Sequence, residues 1–308
     1  MTYVVAGHTG LVGSAIYETL SAQGENVVGI SSKVVNLLDR QATFDFLQDI
    51  RPSVVIDAAA IVGGIGANNS LPVDFLSKNL QIQNNLMDGS HAANVERFVF
   101  LGSSCIYPRE CPQPIKEEYL LTGPLERTNS AYAVAKIAGI ELIKSYRKQF
   151  GHRWISLMPT NMYGPRDNFN LENGHVLPVL IHRFVKAKEQ DVKKVILWGS
   201  GKPLREFLHT QDLASAVQIA LEKYDGESHL NVGTGDEISI YSLAILIAEL
   251  VGYKGEIEWD STKPDGTPRK VMDNSKISSL GWRPIFDLRS GIQDTLNWFQ
   301  AHRKELRV

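Results

Sequence analysis

The chain has 308 residues, with 32 Lys and Arg against 34 Asp and Glu, a formal net charge of −2, and 43% hydrophobic residues. That length suits one large α/β domain or two intimately joined ones with a sizeable core. The near-neutral balance, without a basic run, gives nucleic acid no electrostatic footprint, and no stretch is apolar for long enough to span a bilayer.

In chain order, the first run, TYVVAG (2–7), predicts a short strand that feeds a glycine turn. It has no charged n-region before a long apolar stretch, so no signal peptide is expected and the cytoplasm is the expected location. There the two cysteines, Cys105 and Cys111, are expected to stay reduced rather than to pair. Further strands are predicted at 26–31, 54–60, 98–104 and 154–161, alternating with helices at 11–23, 40–50, 72–94 and 130–150. The strands are apolar nearly throughout, as in a parallel sheet covered by helices on both faces. The expected fold class is therefore α/β, a Rossmann-type doubly wound parallel sheet.

Past residue 163 the texture changes. YGPRDNFNLENGHVLP (163–178) is rich in Gly, Pro and Asn and predicts a loop. Helices follow near 176–188, 210–223 and 287–302, with a turn-rich region that includes KPDGTPRK (263–270). The expected organisation is a dinucleotide-binding domain over 1–163 and a smaller, mainly substrate-binding lobe over 164–308. The chain is expected to return to the first domain around 206–236.

Gly7-His8-Thr9-Gly10-Leu11-Val12-Gly13 lies between the first strand and the first helix. Gly7 permits the tight turn, Gly10 lets backbone approach a pyrophosphate, and Gly13 allows close helix–strand packing, with the phosphates on the helix N-terminus. The spacing, G-x-x-G-x-x-G, also occurs in ordinary βα turns; its place in a strand–turn–helix context favours dinucleotide binding. The second strand ends near Ile30 without the acidic residue that would hold an NAD ribose. Ser31, Ser32 and Lys33 stand there instead, and hydroxyls with an ammonium suit a 2′-phosphate, so NADP(H) is the expected cofactor. The competing reading of Lys33 is a solvated loop lysine. Asp39 is expected near the adenine.

SAYAVAK (130–136) places Tyr132 and Lys136 four residues apart, on one face of a helix. A tyrosine, ordinarily with a pKa of about 10, is expected to have that value lowered by a nearby ammonium and a nicotinamide's positive charge. It could then pass a proton to or from a carbonyl or alcohol oxygen while hydride moves. Ser103, at the end of the strand 98–104, could hydrogen-bond the same oxygen.

The glycine loop, the Ser103–Tyr132–Lys136 set and the chain order resemble the extended short-chain dehydrogenases/reductases. GSSCIYP (102–108), YAVAKIAG (132–139), PTNMYGPRDNFN (159–170), GHVLPVLI (174–181), WGSGKPLREF (198–207) and KPDGTPRK (263–270) together resemble the GDP-L-fucose synthase branch of that family over nearly the whole chain. The resemblance implies that Cys105 and His175 form an acid/base pair that epimerises a 4-keto sugar at C3 and C5. It further implies NADPH-dependent reduction at C4 with Tyr132 supplying the proton. The chemistry is coherent: a 4-keto group acidifies its neighbouring C–H bonds, and cysteine and histidine titrate near neutrality. For Cys105 the competing reading is an inert packed thiol, and for His175 a structural loop histidine.

The same resemblance implies cofactor contacts from Leu101, Gly102, Lys136, Pro159, Asn161, Met162 and His175, besides the glycine loop. It implies that Asn161, Arg183, Trp198, Arg205 and Asp265 hold the GDP-sugar, with Lys270 a further candidate; arginine forks suit a diphosphate. A homodimer through the helices at 72–94 and 130–150 is expected on the same ground. No metal is expected, since the other histidines lack ligand spacing. The chain departs from the family where some members carry arginine, holding Thr9 and the Ser31–Ser32 pair instead. It also reads Asp57-Ala58-Ala59-Ala60 where a strand often ends His-x-Ala-Ala, and the sequence offers no account of Asp57.

Alternatives within the fold remain open at this point. A dehydratase would want an acidic pair where Cys105-Ile106 stands, and a C4-epimerase would need no cysteine base. An epimerase/reductase for a related GDP-4-keto-dideoxy sugar, acting at C5 only, is the nearest rival. A non-catalytic dinucleotide sensor would have lost the tyrosine or lysine, and both are present.

Overall fold

Strands that are apolar on both sides need cover on both sides, and the chain supplies it by alternating them with helices. The computed structural model describes residues 1–263 and 265–306. Its first half runs β1 (Thr2–Ala6), α1 (Leu11–Ala22), β2 (Asn26–Ile30), α2 (Arg40–Ile50), β3 (Val54–Asp57), α3 (Ile65–Ser70), α4 (Asn79–Ala92), β4 (Arg97–Leu101), α5 (Ser130–Phe150) and β5 (Ile155–Pro159). Its second half runs β6 (Asn161–Tyr163), α6 (Val176–Glu189), β7 (Lys194–Trp198), β8 (Leu204–Arg205), β9 (Phe207–His209), α7 (Thr210–Lys223), β10 (Leu230–Val232) and β11 (Ile238–Ser239). It closes with α8 (Ile240–Val251), β12 (Glu256–Asp260), β13 (Arg269–Lys270), α9 (Ser275–Ser279) and α10 (Leu288–Ala301).

Six strands form one sheet in the order β10-β5-β4-β3-β1-β2, every pair parallel. One face packs Val5, Ile56 and Val99 against Ile16 and Leu20 of α1 and Leu213 and Val217 of α7. The other packs Val4, Val55 and Phe98 against Leu47 of α2, Leu86 of α4 and Ile140 and Ile143 of α5. A third core joins Ile181 and Phe184 of α6, Leu243 and Ile247 of α8 and Phe299 of α10. Beside it β7 and β12 pair in parallel, and β11, β8 and β13 form a small three-stranded sheet.

Three predicted strands end well short of expectation, all at the carboxyl edge of the sheet. β3 stops at Asp57, because the next turn comes against Gly7, where a Cβ would sit 2.8 Å from the Ala58 oxygen. β4 stops at Leu101, whose carbonyl accepts from the Lys136 ammonium. The run 154–161 divides at Thr160, and its second part, β6, leaves the main sheet to pair with β9. The helix expected over 72–94 is interrupted near its start by a π-helical turn, Asp74–Lys78. There the Asn79 side chain donates to the Phe75 carbonyl (2.7 Å) and exchanges hydrogen bonds with the backbone of Ile61, competing with the regular ladder.

Candidate active site

The glycine turn forms the first wall of the cleft. Gly7 takes φ +80°, a left-handed conformation open to glycine, and its N–H donates to Ile30 O at 2.8 Å. A Cβ on Gly13 would lie 2.2 Å from the Gly7 oxygen, so α1 starts hard against the turn. Gly10 caps α1 without any side-chain hydrogen bond. The first-turn N–H groups, Leu11 to Gly13, are therefore left for an anion such as a dinucleotide's pyrophosphate, and the cradle fits that group. His8 turns away: its ring fills the space beside Gly29 and packs on Tyr17 with centroids 5.3 Å apart. Ser32 and Lys33 are exposed just past the end of β2. Asp39 has a role that the sequence did not reveal, since its carboxylate caps α2 by accepting from Ala42 N at 3.0 Å.

The reactive groups come from β4 and α5. Beyond Leu101, Gly102 N donates to Leu157 O (2.9 Å), and Ser103 takes up an extended conformation that caps the 3₁₀ turn Ser104–Ile106. The Ser103 Oγ accepts from Cys105 N at 3.3 Å, which orients the serine hydroxyl against the turn that carries Cys105. Both cysteines are free thiols. The Cys105 sulfur accepts from Asn129 Nδ2 at 3.4 Å and meets Lys270 Nζ at 3.9 Å. It lines a pocket with Tyr107, Arg109, Glu126 and Arg269.

On the first turns of α5, Tyr132 packs edge-on against Phe75, and Lys136 is buried. The Lys136 Nζ donates to Leu101 O at 2.9 Å, lies 4.7 Å from the Phe100 ring centroid and 5.8 Å from that of Tyr132. The expectation of a depressed Tyr132 is corrected for the protein without cofactor. Burial pushes its phenol well above the ordinary range, and Cys105 and Asp57 push the same way. Tyr132 is therefore held as a neutral phenol, the form that can donate a proton. Burial lowers Lys136, while Asp57 raises it.

His175 caps α6 through its backbone and is exposed, yet enough protein surrounds its ring that desolvation holds the imidazole below its ordinary value. Its loop is carried by Gly64 N donating to Asn173 O at 3.0 Å. Among the described residues no hydrogen bond joins His175 to Cys105; the two stand on separate loops. Pro159 ends β5, and Asn161 and Met162 belong to β6, with Asn161 Nδ2 donating to Glu206 O at 2.8 Å.

The third core carries the remaining candidates. Arg183 on α6 donates to Ile196 O at 3.0 Å, and burial lowers its pKa. Trp198 is 72% exposed, an open aromatic face with the Lys263 ammonium 5.6 Å from its centroid. Burial lowers Arg205, and the Asp265 carboxylate opposes that effect. Asp265 accepts from Ser200 N (2.8 Å) and Ser200 Oγ (2.6 Å), which hold its carboxylate below the usual range. β13 lies parallel to β8 with Lys270 opposite Arg205, so one small sheet links the arginine to the lysine at Cys105. Sequence reasoning missed Asn129, whose only signal was its place just before the SAYAVAK helix. It also missed Glu206, whose buried carboxylate accepts from Gly235 N (2.6 Å) and Met272 N (3.0 Å) and anchors the end of β13.

The model of the NAD dependent epimerase/dehydratase family matches residues 3–233. The chain belongs to that family. Within this family it is 52% identical to GDP-L-fucose synthase 1 of Arabidopsis thaliana, over 96% of this chain and 92% of the relative. It is 45% identical to GDP-L-fucose synthase of Escherichia coli (strain K12), over 98% of each. The crystal structure of a GDP-L-fucose synthetase from Naegleria fowleri bound to NADP superposes with a TM-score of 0.92 at 31% identity, covering all of this chain and 95% of the other.

Proposed function

We propose that the protein is an NADP-dependent epimerase/reductase with the GDP-L-fucose synthase activity. It converts GDP-4-keto-6-deoxy-D-mannose to GDP-L-fucose by epimerisation at C3 and C5 and reduction at C4. The observation that carries this reading is the Cys105 thiol, two residues from Ser103, with its N–H donating to the Ser103 hydroxyl and its sulfur close enough to Tyr132 to push the phenol upward. A simple reductase needs the Ser–Tyr–Lys set alone; a carbon acid next to a ketone needs in addition a base and an acid on opposite faces.

In this reading the Leu11–Gly13 helix end, Ser32 and Lys33 bind the dinucleotide, whose nicotinamide supplies hydride for the 4-keto carbon when bound. Arg183 and Arg205 bind the nucleotide diphosphate, Trp198 meets the base, and Asn161 and Asp265 fix the sugar end. Cys105 and His175 remove and return protons at C3 and C5. Ser103 and Tyr132 hydrogen-bond the C4 oxygen, which stabilises charge as C3–H or C5–H ionises. Tyr132, a neutral phenol, then donates its proton to that oxygen. The exposed apolar residues Leu71, Val73 and Val134, near and on α4 and α5, support a homodimer through these helices, which sedimentation measures directly.

The test is incubation with GDP-4-keto-6-deoxy-D-mannose and NADPH in deuterated water. Cofactor oxidation with deuterium at both C3 and C5 of the product supports the reading. Deuterium at C5 alone replaces it with a C5 epimerase/reductase, and NADPH binding without turnover replaces it with a sensor.

A further inference from the structure

Asp57 closes β3 as the last residue before the cleft, and it is 1% exposed. Its register partner is Phe100 of β4, so the two side chains share the face of the sheet that α5 covers. Phe100 is the ring 4.7 Å from the Lys136 Nζ. One carboxylate oxygen of Asp57 accepts from Ala59 N at 3.1 Å, and the other is buried with no hydrogen-bond partner among the described residues. An aliphatic side chain would fill this position without the cost of burying a charge. A half-satisfied buried carboxylate next to a buried ammonium calls for a reason.

We propose that Asp57 is a positioning residue for the reduction step: its carboxylate is the counter-charge that keeps Lys136 an ammonium beside Tyr132. Among the described residues the Lys136 ammonium meets the Leu101 carbonyl and the rings of Phe100 and Tyr132, and burial works against its charge. Asp57 is the charged group that restores it. The coupling is mutual. Burial raises the Asp57 carboxyl to about 6, and Lys136 and the Ala59 N–H oppose that rise. The titratable groups facing this pair are Tyr132 on the same helix as Lys136 and, beyond Tyr132, Cys105 from the β4 loop. Above about pH 6 the Asp57 carboxyl is an anion, and it favours the charged form of Lys136. The negative charge keeps the proton on Tyr132 as well as on Lys136, which suits a residue whose task is to donate it.

Two measurements test this, and only the second rests on the proposed reaction. Carbon-13 NMR of γ-labelled aspartate, assigned by the resonance lost in Asp57→Asn, reads the carboxyl directly in the full chain. Its midpoint is expected near 6. In Lys136→Met the midpoint is expected to move up by about one pH unit, since the opposing ammonium is gone. An unchanged midpoint overturns the proposal. For NADPH-dependent reduction, Asp57→Asn is expected to shift the alkaline limb of the pH profile downward by about one unit, because both Lys136 and Tyr132 lose their protons earlier. A lowered rate with an unmoved limb assigns Asp57 a packing role and overturns the proposal. Absence of turnover by the parent protein would refute the reaction and leave the NMR result standing.

Discussion

The ammonium of Lys270 lies 3.9 Å from the sulfur of Cys105, across 165 residues of chain. Backbone pairing makes the contact possible. Val271 N donates to Gln113 Oε1 (3.0 Å), Ile115 N donates to Val271 O (2.8 Å), and Met272 N donates to Glu206. The KPDGTPRK motif is thus stitched to the loop that follows Cys105. A fixed cation at this range offsets negative charge on the sulfur as protons leave and return. Lys270→Met is expected to slow solvent exchange at the sugar carbons by about tenfold, worth 1.4 kcal/mol of barrier, with NADPH affinity unchanged. Exchange NMR beside a cofactor titration checks both.

Gly13→Ala is expected to abolish tight NADPH binding and to lower the thermal midpoint. Its Cβ would meet backbone, at 2.2 Å from the Gly7 oxygen and 2.6 Å from the Gly7 carbon, so no side chain can yield. The turn or the helix must move, and the pyrophosphate cradle moves with it. Calorimetric titration with NADPH and a melting curve check this pair of effects.

Lys33→Ala is expected to weaken NADPH by about tenfold while leaving NADH nearly unchanged, the signature of a lost charge-assisted contact to one phosphate. Competition between the two cofactors in one fluorescence titration reads the difference. Equal loss for both would move the 2′-phosphate contact elsewhere.

His229 makes stability depend on pH. Its Nε2 lies 2.9 Å from the Tyr107 hydroxyl, which donates to Asn231 Oδ1, so the imidazole Nε2–H donates to the phenol oxygen. Burial, with Lys144 and Lys276, lowers its pKa from 6.5 to about 4. Between those values the unfolded chain binds the proton and the folded chain does not, so this residue costs stability as pH falls through that window. The loss amounts to as much as about 3 kcal/mol. His229→Gln keeps a donor for Tyr107 and removes the titration. Urea melts from pH 7 to pH 4 are expected to show a shallower acid decline in the variant. Comparison with the parent cancels the opposite slope from carboxyls raised by burial, such as Asp57.

The alternation of apolar runs with helical stretches made the parallel sheet legible, since period and length are local properties. Tyr132 and Lys136 were legible because one helix carries both. The partners of Cys105 were less so. Asn129 and Lys270 reach its sulfur from two distant segments, and no spacing in the sequence encodes that contact. Asp39 could be read as a cofactor residue because a cap and a ligand contact draw on the same side chain. Without the cofactor the Tyr132 shift runs upward, because burial dominates and the nicotinamide's charge, which the expectation included, is not there to oppose it. Asp57 carried no motif and became interpretable only with its register to Phe100.

The central claim is that one cleft performs two separable chemistries, with Cys105 and His175 moving carbon-bound protons and Tyr132 completing the reduction. The most direct test compares Cys105→Ser and Tyr132→Phe in deuterated water with GDP-4-keto-6-deoxy-D-mannose and NADPH, reading exchange by NMR and cofactor oxidation by absorbance. Cys105→Ser is expected to lose exchange at C3 and C5 while binding NADPH normally. Tyr132→Phe is expected to keep exchange, slowed by the loss of one of the two hydrogen bonds to the C4 oxygen, and to lose most NADPH oxidation. Equal loss of both activities in both variants, with folding intact, would contradict the division of roles.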